Sequence, residues 1–226
     1  MDAPTPEVVH LDDDLIVVDK PAGLVVHAAP SHSGPTLVDW LGDRAGGGPR
    51  ERPGIVHRLD KGTSGLMVVA RNEVTLEDLA AQIRAREVVR EYLALVEGSL
   101  ESEAGTIDAP VGRDRRRRTR MAVGGTAARG AVTHFELIEQ FPSTALVRAS
   151  LETGRTHQVR VHFAAIGHSV IGDPEYGTGD TLGLTRQFLH AVGLAFTHPT
   201  TGEAVSFRSE LAADLEGALS KAREGA

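Results

Sequence analysis

The segment with the clearest chemical potential surrounds one carboxylate, Asp60. Residues 57–65 read HRLDKGTSG, in which two glycines permit a tight backbone and the hydroxyls of Thr63 and Ser64 can form local hydrogen bonds. A stretch rich in glycine and proline, residues 42–54, precedes the segment, and an apolar stretch follows it. Such a loop would hold Asp60 in a fixed place for work on a substrate. The pattern equally fits a polar turn without function, and short motifs alone do not separate the two.

A second segment gathers arginines and histidines at the start of an expected helix. Residues 154–162 read GRTHQVRVH, and the apolar spacing predicts a helix from Thr156, as its cap, to residue 166. The free N–H groups of a helix start attract anions. If Asp60 faces this start, Arg155 or Arg160 could keep the carboxylate ionised and orient it. A solvated helix end with one structural ion pair is the alternative.

Two further features could contact a substrate directly. Tyr92 begins an apolar stretch that predicts a strand, where it could be a half-buried core residue or could stack on a base and move a proton. Six arginines lie within eight residues and are opposed only by Asp114. This arginine cluster fits either a mobile surface loop or a cationic patch that binds phosphates. Its members are Arg113, Arg115, Arg116, Arg117, Arg118 and Arg120.

The composition limits the classes of protein that the chain can belong to. Its 226 residues suit one sizeable core, and the absence of cysteine excludes disulfides, thiolate metal sites and a cysteine nucleophile. The net charge of −7 argues against general binding of polyanions, so a nucleic acid would depend on the local arginine cluster. No apolar run could cross a bilayer and no secretory signal is present, so we expect a cytoplasmic protein. The histidines lack the spacing of a metal site, and we expect no metal.

Hydrophobic spacing predicts a series of short strands and a few helices. Residues 1–9 are expected to be a mobile lead-in. Strands are expected at residues 15–18, 24–26, 66–70, 92–96, 131–139, 144–151 and 188–196. Besides the helix after Thr156, helices are expected near Thr36, after Asn72 as a cap, and around residues 211–219 with Ser209 as a cap. The short gaps between strands favour an α+β fold with a mixed, largely antiparallel sheet flanked by helices.

Taken together and in order, these segments resemble the RluA-type pseudouridine synthase family. Six ordered motifs over roughly residues 10–210 are a far stronger signal than any one of them. The matching segments are Lys20–His27 (KPAGLVVH), His57–Ala70 (HRLDKGTSG with its apolar strand), Tyr92–Gly98 (YLALVEG), Leu151–His162 (LETGRTHQVRVH), Gly172–Gly177 (GDPEYG) and Leu189–Ala191 (LHA).

The resemblance implies an isomerase that converts uridine to pseudouridine in RNA, on the family fold with an active-site cleft across its sheet. It implies that Asp60 is the central catalytic carboxylate, acting at C1′ of the ribose or on a sugar proton. Tyr92 matches the residue that stacks on the uracil, and Arg160 matches the partner of the aspartate. Arg58 matches the residue that fills the space of a flipped nucleotide, and Arg155 is expected to support the motif or bind phosphate. No cofactor is implied.

The substrate is the point on which the resemblance is least specific. Residues 118–123 and His27 are most similar to family members that modify a stem-loop of 23S ribosomal RNA, which usually carry an S4-type RNA-binding domain before the catalytic domain. We expect residues 1–226 to form a single catalytic domain without an S4 domain, acting as a monomer. Modification of tRNA, or of both tRNA and rRNA, is an alternative. A catalytically idle RNA-binding factor for ribosome assembly, or a hydrolase that releases free uracil, would also fit parts of the pattern.

Overall fold

The computed structural model describes residues 4–28, 33–179 and 181–225, which form twelve strands and four α-helices. The strands are β1 (Glu7–Leu11), β2 (Leu15–Lys20), β3 (Ser64–Ala70), β4 (Val89–Glu97), β5 (Ala104–Asp108), β6 (Val111–Arg113), β7 (Met121–Val123), β8 (Thr126–Arg129), β9 (Val132–Gln140), β10 (Thr144–Leu151), β11 (Leu189–Thr197) and β12 (Ala204–Arg208). The helices are α1 (Leu37–Leu41), α2 (Glu73–Ala85), α3 (Gln158–Ala165) and α4 (Ala213–Glu224). None of these helices is long and apolar enough to cross a membrane.

The first of two compact units comprises the chain up to Arg90 together with Ala191–Glu210. Its strand order is β1-β2-β3-β11, with β12 paired to β11, and the pairings of β1 with β2, β2 with β3 and β11 with β12 are antiparallel. All seven residues of β3 are buried, and residues 66–70 of the strand form a continuous apolar run. Leu79 of α2 and Phe196 of β11 pack with the buried apolar residues of β3 in one hydrophobic cluster.

The second unit comprises Glu91–His190 and Leu211–Ala226. Strands β4, β10, β9 and β5 lie side by side in that order, and their pairings are antiparallel. A separate three-stranded antiparallel sheet has the order β7-β6-β8. Its apolar residue Val111 packs with Ala131 and with Val161 of α3. The α+β fold with largely antiparallel strands is therefore confirmed.

Two of the sequence-predicted helix starts are confirmed in detail. Thr36 forms a reciprocal capping box with Asp39 before α1, since each side chain bonds the backbone N–H of the other. The side chain of Asn72 accepts a hydrogen bond from the backbone N–H of Thr75 at the start of α2. Both caps are local, so the sequence alone was sufficient to find them.

Four other expectations are wrong. Helix α3 begins at Gln158, and His157 rather than Thr156 precedes it, without a side-chain cap. Helix α4 begins at Ala213, and the Ser209 hydroxyl donates to Asp19 instead of capping a helix. Residues 24–26 form no strand, only an isolated bridge between Val25 and Thr36. The expected mobile lead-in forms a strand from Glu7 onward, and its residues 1–3 lie outside the described residues.

Candidate active site

Asp60 lies half-buried in a loop of the first unit, immediately before β3. Its carbonyl accepts a hydrogen bond from the backbone N–H of Thr63 at 3.1 Å, which closes a tight turn. Thr63 and Leu59 are both buried, so the residues on each side of the carboxylate anchor the turn in the core. Arg58, its neighbour, is exposed. The loop therefore presents one carboxylate at the edge of solvent on a fixed backbone.

The conformation of Gly65 explains why the loop ends in glycine. Its φ of +111° lies in a region that other residues rarely adopt. A Cβ at this position would also lie 2.3 Å from the carbonyl oxygen of Ala191 in β11. Because β3 and β11 approach so closely here, only glycine lets the chain run directly from the Asp60 loop into the core strand.

A buried lysine organises the turn that supports this loop. Lys20 is fully buried at the end of β2, and its ammonium group donates to the carbonyls of Pro21 and Leu24, each at 2.9 Å. The same turn bonds the Asp60 loop directly, because the backbone N–H of Gly23 donates to the carbonyl of Lys61 at 2.7 Å. The KPAG sequence is thus a brace behind the carboxylate, a role that residue types alone do not reveal.

Two histidines of the first unit are held neutral. The His57 Nε2 atom accepts a hydrogen bond from the backbone N–H of Val68 at 3.1 Å. Burial, and then the charge of Arg90, lowers the pKa of His57 to about 3. Burial, followed by the charges of Arg58 and a second arginine, also lowers the pKa of His27. His57 is therefore a structural acceptor for β3 and not an acid or base at neutral pH.

In the second unit, Arg160 is held by a buried carboxylate. Its Nε and Nη2 atoms donate to the two oxygens of Asp173 at 2.6 and 2.9 Å, and Nη2 also lies 3.2 Å from Glu175. The side chains of Arg160 and Asp173 are 6% and 0% exposed. Although burial alone would raise it, the hydrogen bonds and charge of Arg160 hold the pKa of Asp173 below its usual value. The guanidinium group is therefore fixed in a two-pronged geometry.

Tyr176 lies against the same guanidinium group. The carbon at the centre of the Arg160 guanidinium is 4.9 Å from the centre of the phenol ring, and that of Arg120 is 4.4 Å away. The Tyr176 hydroxyl is 2.9 Å from Nδ1 of His157, and it accepts a hydrogen bond from the backbone N–H of Met121 at the same distance. Burial raises the pKa of the phenol to about 12, so it stays protonated at neutral pH.

The turn before α3 is organised by Gln158. Its Oε1 accepts from the backbone N–H of Arg155 and from the hydroxyl of Thr153, and its Nε2 donates to the carbonyl of Val132. His157 adopts a left-handed backbone, with φ 58° and ψ 19°. A residue other than glycine in this region is strained and needs support from its surroundings. The TGRTHQ sequence thus builds a rigid turn that leads into Arg160.

The remaining predicted site residues of the second unit lie on strands and turns. Tyr92 is 6% exposed on β4, opposite Ala149 of β10. Arg155 is half-buried, with its Nε donating to the carbonyl of Gly130 at 3.1 Å, and burial followed by the charge of Arg129 lowers its pKa. Tyr92 therefore contributes a buried ring, whereas Arg155 lies in a cationic environment.

The arginine cluster forms the turn of the hairpin between β6 and β7, and we call residues 113–120 the arginine loop. Asp114, the single acidic residue in it, accepts hydrogen bonds from the backbone N–H groups of Arg116 and Arg117 at 2.7 and 2.9 Å. The backbone N–H of Asp114 donates to the carbonyl of Arg120 at 2.8 Å. Five of the six arginines are exposed, namely Arg113, Arg115, Arg116, Arg117 and Arg118. The loop is thus a hydrogen-bonded turn with five exposed arginines, of which Arg113 donates back to the carbonyl of Arg118 at 3.1 Å.

One group of side chains in the first unit has the composition of a metal site. Ligand atoms of Asp12, Asp14 and His198 lie within 4.8 Å of one another. However, Nδ1 of His198 accepts from the backbone N–H groups of Thr200 and Thr201, so its proton is on Nε2, which faces Asp12 at 3.1 Å. A protonated nitrogen cannot bind a metal ion, and the group fits a clamp between turns better.

The structure thus places Asp60 and Arg58 in the first unit, and Tyr92, Arg155, Arg160 and the arginine loop in the second. It brings Arg160 together with three residues that the sequence analysis quoted only as part of a motif, Asp173, Glu175 and Tyr176. The signal that could have found them is the GDPEYG segment itself, where two carboxylates and a phenol flank one proline. The pairing of Arg160 with Asp60 stays a prediction.

Comparison with known proteins gives consistent matches over most of the chain. The family model described as RNA pseudouridylate synthase matches residues 14–165. The uncharacterized RNA pseudouridine synthase YlyB of Bacillus subtilis is 45% identical over 222 residues, which are 96% of this chain and 73% of that protein. The ribosomal large subunit pseudouridine synthase D of Zymomonas mobilis is 44% identical over 224 residues, which are 93% of this chain and 70% of that protein.

Solved structures with a similar fold carry related names. Human RNA Pseudouridylate Synthase Domain Containing 4 has a TM-score of 0.75 and 27% identity, covering 96% of this chain and 93% of that one. Human RNA Pseudouridylate Synthase Domain Containing 1 has a TM-score of 0.72 and 27% identity, covering 93% of this chain and 85% of that one. Sequence and fold therefore point to the same family.

Proposed function

The chain belongs to the RNA pseudouridylate synthase family, and from that premise we propose that it isomerises uridine to pseudouridine in the 23S ribosomal RNA of the large subunit. Family membership makes it an isomerase that acts on uridine in RNA. The choice of ribosomal RNA is supported by four relatives named ribosomal large subunit pseudouridine synthase D, which are 44–47% identical to this chain. The observation that carries the reaction is the half-buried Asp60 on its braced loop.

Asp60 is proposed to act on the ribose of the target uridine. Breaking the bond between C1′ and N1 develops positive charge at the sugar, which a nearby carboxylate stabilises or attacks. Removal of a sugar proton by the same group is the alternative route. Either route needs the carboxylate in one place, which the brace formed by Lys20 and Gly23 supports.

Tyr92 and Arg160 are proposed to serve the same nucleotide. The uracil has to be held after it leaves the sugar, because it must turn before C5 bonds to C1′. A buried aromatic ring such as Tyr92 provides a stacking surface for the base, and its phenol oxygen, after giving up its own proton, is proposed to accept the C5 proton. Arg160 is proposed to orient Asp60, and its bidentate pair with Asp173 restricts the directions in which it can donate.

The arginine loop is proposed to hold the RNA backbone. Its exposed guanidinium groups lie on an ordered turn, so binding a phosphate costs less entropy than it would on a mobile segment. A stacked uridine must leave the helix before its C1′ is accessible. Arg58, exposed beside Asp60, is proposed to fill the vacated space, and Arg155 is proposed to contribute a phosphate contact.

The test replaces Asp60 with asparagine, which keeps the size of the side chain and removes its charge. We expect Asp60→Asn to release tritium from 23S ribosomal RNA labelled with [5-³H]uridine at least about a thousandfold more slowly than the wild type. Asp78→Asn is the matched control, because Asp78 is also half-buried in the first unit and its bond from Gln82 survives as a bond to the asparagine oxygen. Wild-type activity in Asp60→Asn would sink the assignment.

The substrate is tested separately in cells. Pseudouridine mapping of total RNA from cells with and without the protein should show the loss of pseudouridine at sites in 23S ribosomal RNA. Expression of the wild-type chain should restore them, and expression of Asp60→Asn should not. Loss of sites only in tRNA would overturn the choice of ribosomal RNA while leaving the reaction intact.

A further inference from the structure

Tyr176 connects two parts of the second unit that the proposed function assigns to different tasks. Its hydroxyl accepts a hydrogen bond from the backbone N–H of Met121, the residue that directly follows the arginine loop. The same hydroxyl is 2.9 Å from Nδ1 of His157, which directly precedes the helix that carries Arg160. One side chain therefore touches both the end of the loop and the start of α3.

The ring of Tyr176 also contacts both the arginine loop and α3. It lies under the guanidinium group of Arg120, the last arginine of the loop, at 4.4 Å, and under that of Arg160 at 4.9 Å. Both guanidinium groups are positive and would repel each other in an apolar environment, but the face of an aromatic ring attracts each of them. Tyr176 thus keeps the loop arginine and the Arg160 guanidinium in one cluster.

Tyr176 cannot shift without disturbing the group that holds Arg160. Its backbone N–H donates to Oδ1 of Asp173 at 3.1 Å, and the same oxygen accepts from Nη2 of Arg160 at 2.9 Å. The side chain of Glu175, the preceding residue, lies 3.3 Å from Nδ1 of His157 as well as near Arg160. The strained backbone of His157 is held in place by these contacts.

The loop side of the connection is equally stiff. The backbone N–H of Arg120 donates to the carbonyl of Arg117 at 2.8 Å, and Met121 pairs with Arg113 across the hairpin. A displacement of the exposed arginines is therefore transmitted to Met121 through a short hydrogen-bonded turn.

We propose that Tyr176 is a positioning residue for Arg160, which links the binding of RNA phosphates at the arginine loop to the placement of that guanidinium group. The proposal rests on the proposed function, because it takes the loop as the phosphate contact and Arg160 as a group that orients Asp60. Tyr176 itself need not touch the substrate. Its hydroxyl and ring contact Met121 and Arg120 on the side of the loop, and His157 and Arg160 on the side of α3.

The test uses Tyr176→Phe, which keeps the ring and removes the hydroxyl. Hydrogen–deuterium exchange is followed in peptides from residues 113–125 and 158–165, with and without a transcript of 23S ribosomal RNA. The second peptide leaves out Arg155, which is itself proposed to contact phosphate. In the wild type, RNA should slow exchange in both peptides. In Tyr176→Phe it should slow exchange only in the loop peptide, and kcat for tritium release should fall about tenfold with little change in KM.

Thr106→Val is the matched control, since it also removes a hydroxyl that contacts a histidine, in this case Nδ1 of His134 at 2.8 Å on β5 and β9. It should behave as the wild type in both measurements. Should Tyr176→Phe fail to fold, His157→Asn removes the other end of the contact, and asparagine tolerates a left-handed backbone. The same loss of protection in residues 158–165 is then expected.

The outcomes separate the two proposals. If RNA protects both peptides equally in Tyr176→Phe, or if protection of the loop is lost as well, Tyr176 does not link the two parts and the inference is overturned. If the wild type releases no tritium but the pattern of protection holds, the proposed reaction fails while the link between loop and α3 stands.

Discussion

The buried pair of Arg160 and Asp173 gives the most quantitative test of the structure. Replacement of Asp173 by asparagine keeps the shape of the side chain but removes its charge. It also places an N–H donor opposite Nε of Arg160, which in the wild type lies 2.6 Å from a carboxylate oxygen of Asp173. Removing one partner of a buried ion pair costs about 3–5 kcal/mol of folding free energy. Glu175 stays within 3.2 Å of Nη2 and is only partly exposed, so part of the charge remains balanced.

We therefore expect Asp173→Asn to lower the free energy of unfolding by about 3 kcal/mol, the lower end of that range. For a chain of this size, the melting temperature should fall by about 6–12 °C. Urea unfolding measures the first quantity and calorimetry the second. Glu136→Gln is the control, because Glu136 pairs with Arg148 at 3.2 Å where both side chains are well exposed, and its loss should cost less than about 0.5 kcal/mol.

A double-mutant cycle with Arg160→Met isolates the interaction itself. Each single change leaves one charge buried without its main partner, whereas the double change leaves neither, so the combined loss should be smaller than the sum by at least about 2 kcal/mol. A cost below about 1 kcal/mol for Asp173→Asn, or additive losses in the cycle, would refute the account of Arg160 as a guanidinium held by one buried carboxylate.

The same pair sets a dependence on pH whose sign follows from the lowered pKa. Because the folded state lowers the pKa of Asp173 below its ordinary value of 3.8, the stabilisation is fully present above that value and is lost as the pH falls through the folded pKa. The difference in unfolding free energy between the wild type and Asp173→Asn should therefore be constant from neutral pH down to about pH 5 and shrink in stronger acid.

The two remaining predictions concern His57 and the arginine loop. Since the folded state lowers the pKa of His57 to about 3, the stabilisation by neutral His57 is complete above the ordinary pKa of 6.5 and falls as the pH drops from 6.5 toward 3. His57→Gln should therefore lose less stability than the wild type over this range, by on the order of 4 kcal/mol at pH 3. An NMR titration that shows His57 protonating near pH 6 would contradict this. Replacing Arg116 and Arg118 by alanine should weaken binding of RNA transcripts and reduce the slope of log Kd against log salt by about 1 for each arginine. An unaltered slope in filter-binding assays would show that these side chains do not contact phosphates.

The features that the sequence predicted correctly depend on near neighbours in the chain. The caps of Thr36 and Asn72 bond residues three positions away, and the buried strand β3 shows as a continuous apolar run. Helix α3 was predicted with the wrong cap, because the left-handed backbone of His157 depends on Tyr176 and Glu175, which are 19 and 18 residues further along. Strand β1 was missed because four of its five residues are exposed, which gives no alternating pattern.

For the site, residue types indicated the chemistry but not the support. Asp60 and Arg160 are recognisable from their motifs, whereas the role of Lys20 is visible only once its ammonium group is seen to bond two turn carbonyls. Residues 24–26 were predicted as a strand because they are apolar. In the structure the carbonyl of Leu24 accepts a hydrogen bond from that ammonium group rather than from a neighbouring strand. Asp173 acquires its role from a residue thirteen positions earlier, a distance at which spacing carries no signal.

The distribution of charge is compatible with the proposed binding of RNA by an acidic protein. The whole chain carries a net charge of −7, yet residues 109–135 contain seven arginines and one acidic residue. That residue, Asp114, uses an oxygen to bind two backbone N–H groups of the loop, so it shapes the turn that displays the arginines. If the loop binds phosphates as proposed, we expect the acidic remainder of the chain to repel RNA and the loop to attract it, so that RNA approaches loop first. Met121 directly follows the loop and its N–H donates to Tyr176, so the proposed first contact with RNA would lie beside the cluster that holds Arg160.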